Sequence, residues 1–110
     1  MTTVLINDKY ISILSRFGDL QEAVDIALRR YTIDQITAKI AELRQKDARY
    51  QTKYKLDYVT FVQRVTENEA FVNEVETNID KMWENDLADW EFCHKGIEDW
   101  TWTLQTILLK

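Results

Sequence analysis

Apolar and polar positions alternate for a few residues at the start of the chain, then recur every three to four residues to its end. Thr2 to Ile6 alternates, with Val4 and Ile6 on one face and Thr3 and Leu5 on the other, which predicts a short strand. Asn7 or Asp8 is placed to cap a first helix that carries Tyr10, Ile11, Leu14 and Phe17 at helical spacing. Gly18 tolerates a left-handed backbone and ends that helix. Asp19 caps a second one, with Leu20, Ala23, Val24, Ala27, Leu28 and Tyr31 on its inner face. A strand this short needs a ladder, and no other segment of the chain reads as its mate. The pattern therefore predicts the same strand from a second chain, paired antiparallel about a two-fold axis.

Past Tyr31 the apolar phase shifts. "TIDQ" at Thr32–Gln35 fits a capping box, so either a new helix starts there or the second helix runs on with a change of buried face. Ile33, Ile36, Ile40 and Leu43 form a stripe that Asp47, Tyr50 and Tyr54 continue. Lys39, Arg44, Lys46, Arg49, Lys53 and Lys55 decorate its solvated side, although basic residues interleaved with tyrosines also fit nucleic-acid contact. Asp57 then caps a short helix with Tyr58, Phe61, Val62 and Val65 on one side. "TENE" at Thr66–Glu69 reads as another capping box, opening a helix with Val72, Val75, Ile79 and Met82. Asn85 and Asp86 mark a break before the last helix. That helix repeats Leu87, Trp90, His94, Ile97, Trp100 or Thr101, Leu104 and Leu108, with Phe92 and Trp102 off the stripe. The fold class expected is mainly α, with a short N-terminal strand forming an intermolecular ribbon and long helices after it.

Composition reinforces the helices. The 110 residues include two glycines and no proline, so little punctuates a helix. One cysteine makes no internal disulfide, no apolar run approaches a membrane span, and no signal-peptide pattern opens the chain. A cytoplasmic protein without membrane contact is expected. Charge divides unevenly. Residues 1–55 carry ten Lys/Arg against seven Asp/Glu, a net of +3, whereas residues 56–110 carry four against twelve, a net of −8. Two regions follow: 1–50, a dimerising module with a helical extension, and 51–110, an acidic, Trp-rich region for a partner or a dimer core.

The order strand, helix, Gly turn, helix resembles the ribbon-helix-helix family of dimeric transcription factors. "TVLIND", "YISILSRF", the "GD" turn and "EAVDIALRRY" carry the likeness, over about the first 31 residues. The resemblance implies a ribbon lying in the DNA major groove. Thr3 and Leu5, with nearby Lys9, Arg29 and Arg30, would face the DNA, and Val4, Ile6, Tyr10, Leu14, Val24 and Leu28 would form the dimer. Leu5 offers no hydrogen bond, however, and Asp19 stands where a phosphate would dock. The rear half, "KYKLDYVTFVQRV" followed by "ENDLADWEFCHKGIEDWTWTL", is similar in character to the tails of antitoxins paired with TumE-type toxins. That likeness implies operator autoregulation by the front half and neutralisation of an RNA-acting toxin by the rear. Trp83, Leu87, Trp90, Ile97 and Trp100 would be the partner anchors, since large aromatics dominate binding hot spots.

Catalytic chemistry is sparse. His94 is the single histidine, and Cys93 beside it points about 100° away on a helix, so the two make no nucleophile pair. Glu91 and His94 share the Glu-x-x-His spacing of di-iron bundles, which need two such motifs and further glutamates. His94 flanked by Glu91 and Glu98 reads more simply as a surface ion pair. No phosphate loop, zinc cysteine set or serine triad is present. The expectation is no enzyme, no cofactor and no metal. An antitoxin-like regulator is one reading; a helical homodimer or scaffold without nucleic-acid binding is the other.

Overall fold

The computed structural model describes residues 2–109, and its regular elements are all helical. They are α1 (Asp8–Leu14) with a 3-10 turn at Ser15–Phe17, α2 (Leu20–Tyr54), α3 (Tyr58–Glu67), α4 (Glu69–Asn78) and α5 (Trp83–Leu108).

Among the described residues there is no strand. Thr2–Asn7 has no regular structure, and Val4 and Leu5 stand 78% and 92% exposed. The ribbon expectation is thereby overturned, and with it the ribbon core of Val4 and Ile6 and the ribbon face of Thr3 and Leu5. A strand exists through its ladder, and the described residues supply no second strand to form one.

The chain divides into two compact units between Gln35 and Ile36, a point inside α2. In the first unit local signals act as the sequence suggests. The Asn7 side chain caps α1 by accepting from the Lys9 amide at 3.0 Å. Gly18 turns the chain at φ +126°, a region that favours glycine, and the Asp19 carboxylate accepts from the Glu22 amide at 3.0 Å. Burial is another matter, because among the described residues no side chain of this unit is buried. Leu20, Ala23 and Val24 are half-covered, but Ala27, Leu28 and Tyr31 of the expected inner face are exposed.

Helix α2 continues through Thr32–Gln35, so the capping-box pattern there starts no new helix. Nothing between Leu20 and Tyr54 is glycine or proline, and helix propagation needs a reason to stop. The stop comes at Lys55, in the left-handed region at φ +60°.

The second unit holds the core. The stripe on α2 buries Ile36, Leu43 and Tyr54. Asp57 caps α3 from its side chain to the Thr60 amide at 2.8 Å, as the sequence indicates. Asn68 then serves both helices that meet at it. Its amide donates to the Arg64 carbonyl, ending α3, and its side chain accepts from the Phe71 amide at 3.1 Å, opening α4. Thr66 caps nothing; its hydroxyl donates back to the Val62 carbonyl inside α3. The expected break at Asn85–Asp86 also falls elsewhere, at Ile79–Met82, where Asp80 accepts from the Met82 amide at 2.7 Å. Trp90 and Phe61 fill the centre with no exposure, beside Tyr54, Val75 and Trp83. Gly96 lets α2 and α5 approach, since a Cβ there would meet a Leu43 methyl at 2.9 Å.

Candidate interaction surfaces

Two surfaces differ in kind. In the first unit, Leu14 and Phe17 face the opening turns of α2 across an open groove of about 540 Å³. Ala23, Ile26 and Ala27 also line it, with Asp19 and Glu22 towards the start of this stretch of α2 and Arg30 towards its end. Phe17 is 79% exposed and Ile26 59% exposed. Seven-residue helices such as α1 do not persist in water on propensity alone, so an amphipathic face left this open lacks the burial that normally sustains such helices.

In the second unit the aromatic core is tied to carboxylates. Trp90 has the rings of Tyr50, Tyr54, Tyr58 and Phe61 around it, at centroid distances of 5.4–5.9 Å. Its indole N–H donates to Asp47 at 2.7 Å, and that of Trp83 donates to Glu76 at 3.1 Å. The hydroxyls of Tyr50 and Tyr54 donate to Asp89 and Asp86, each at 2.5 Å. Lys53 bridges Asp80 and Asp86 at 2.7 and 2.6 Å. Among the described residues no buried side-chain nitrogen or oxygen lacks a partner. These bonds explain why tyrosine and tryptophan, rather than phenylalanine alone, occupy this core: the polar tips of Tyr50, Tyr54, Trp83 and Trp90 each reach a carboxylate.

The same contacts shift the acidities. Burial, then the bond to Asp89, pushes the Tyr50 phenol up to about 12. Burial and Asp86 raise Tyr54 further. Burial raises the Cys93 thiol, which is packed in the core. The Lys53 ammonium holds the Asp80 carboxyl below its ordinary range, and Asp80 and Asp86 in turn hold Lys53 above its own.

The expected site residues scatter. Trp83 and Trp90, read as partner anchors, are buried within the chain's own core. Leu87 and Ile97 are half-buried, and Trp100 is 37% exposed. The aromatics most open to solvent on α5 are Phe92 and Trp102, the two off the main stripe, at 65% and 69% exposure. Thr3, Leu5, Lys9, Arg29 and Arg30 are all exposed, and the Lys9 ammonium lies 5.0 Å from the Tyr10 ring. Of the residues read as dimer-forming, Leu14 and Val24 are half-covered and Tyr10 and Leu28 exposed. Glu22 and Ile26 were not singled out by the sequence pattern. The one available signal was Ile26 itself, an apolar residue off the expected inner face.

Glu91 pairs with Lys95 at 2.8 Å, whereas His94 approaches Glu98 at 3.4 Å and stacks on Tyr58. Among the described residues no three metal-ligating side chains converge. No helix there is long and apolar enough to cross a membrane. No described protein family, curated protein or solved structure matches the chain.

Proposed function

We propose that the chain is a non-catalytic helical scaffold that works in a self-associated form. One observation carries this reading: among the described residues up to Gln35 no side chain is buried, yet Phe17, Ile26, Leu28 and Tyr31 stand exposed in two consecutive helical segments. Covering a large aliphatic or aromatic side chain contributes roughly 1.5–3 kcal/mol. A few such residues covered together supply what this unit lacks alone, and apolar surface of this kind marks an association site. Sedimentation velocity across the micromolar range tests it. The scaffold reading expects a concentration-dependent dimer, with amide exchange over residues 8–31 slowing as the dimer forms. A monomer at every concentration, with unchanged exchange, overturns it.

A second reading keeps the antitoxin-like role of the rear half. The net charge of −8 over residues 56–110 favours it, because an acidic helical surface steers and holds a basic partner such as a toxin that acts on RNA. Co-expression with the neighbouring open reading frame tests this role. Rescue from a toxic neighbour and a stable complex support it; a harmless neighbour that forms no complex removes it. Operator binding has no geometric support, since no strand presents Thr3 and Leu5 to a DNA groove.

A further inference from the structure

We infer that the groove of the first unit receives the same groove of a second copy, with the two α2 segments antiparallel and their two-fold axis passing near Ile26. This rests on the self-association reading and adds the geometry. Glu22 and Arg30 lie four residues before and after Ile26, about 6 Å along the helix on either side. An antiparallel partner centred at Ile26 therefore sets each Glu22 opposite the partner's Arg30, twice by symmetry. A parallel partner would instead set Glu22 against Glu22 and Arg30 against Arg30, and like charges facing across an interface oppose pairing. Ala23 and Ala27 flank the axis, and such small residues let two helices approach closely. Phe17 and Leu14 line the same groove and add apolar surface to it. Among the described residues neither Glu22 nor Arg30 makes an ion pair within the chain, so both remain available for a partner. Charge thus selects one orientation and one register, and it selects a second copy because the groove is complementary to itself.

Charge reversal in trans tests this geometry on the full chain. Glu22→Arg alone faces Arg30 of its copy, and Arg30→Glu alone faces Glu22. Each variant dimerises on the order of tenfold more weakly. An equimolar mixture of the two variants restores dimerisation as a heterodimer, because both contacts are again between opposite charges. All these residues are exposed, and circular dichroism checks that each variant keeps its helices. If wild type dimerises but the mixture does no better than the single variants, the antiparallel register is wrong and the scaffold reading stands. If wild type is monomeric throughout, both fail.

Discussion

The two units are built from helices with equally good local signals, but only one of them has an interior. Asn7 and Asp19 cap the helices of the first as well as Asp57 and Asn68 cap those of the second. Among the described residues, all eight buried side chains nevertheless lie at or after Ile36, and every ion pair lies from Lys39 onward. The difference is one of volume and convergence. In the second unit Tyr54, Phe61, Trp83 and Trp90 come from three helices and meet, each polar tip finding a carboxylate or staying at the edge. In the first, a seven-residue helix and the opening turns of α2 line an open groove in which Phe17 and Ile26 stay exposed. Caps set where helices begin and end. They do not create a core.

The contrast can be broken most directly at Trp90. Trp90→Ala removes the centre of the aromatic cluster and orphans the Asp47 acceptor, so denaturant unfolding should show a loss of about 3–5 kcal/mol. Next comes Asp86→Ala, which leaves the buried Tyr54 hydroxyl without its acceptor and Lys53 with one carboxylate. We expect a loss of about 1–3 kcal/mol in the same measurement. Alkaline pH probes the same wiring without mutation. Tyr50 and Tyr54 have raised folded values, so their contribution is complete below the ordinary tyrosine value of 10.0 and is lost as pH rises through the folded ones. The second unit should therefore weaken from about pH 10 upward, with tyrosinate absorbance from these two residues appearing later than in the denatured chain.

Smaller effects sharpen the comparison. Asn68→Ala removes the cap of α4 and should cost about 1 kcal/mol in thermal or denaturant unfolding. Smallest of all is Phe17→Ser. Measured at dilutions where the chain is monomeric, it should change stability by less than about 0.5 kcal/mol, because the ring is already exposed. A large effect there would mean that the first unit has a core of its own after all.

Legibility followed the range of the interaction responsible. The Gly18 turn, the Asp19 and Asp57 caps and the stripe from Ile33 to Tyr54 were readable, because each depends on residues within a turn or two. The Thr66–Glu69 box misled because Asn68, one residue from its end, offered a better cap in an extended backbone. The Thr32–Gln35 box left two outcomes open, and the second holds: a capping pattern is silent when a helix already running has no cause to stop. The four tryptophans stood out in the sequence, but their fates diverged. Trp83 and Trp90 are buried, whereas Trp102 is 69% exposed.

The sequence by itself determined that this chain is helical, where most of its helices are capped and that its acidic charge gathers in the rear half. Hydrogen bonds to neighbouring amides and the count of Asp and Glu decide those things, and both are local or additive. Only the tertiary structure decided that Thr2–Asn7 forms no strand, that α2 runs unbroken past Tyr31, and that Trp83 and Trp90 are buried in the chain's own core rather than left for a partner. Those outcomes depend on which faces meet across many residues of sequence. Burial is a property of the meeting, so no stretch of chain carries it alone.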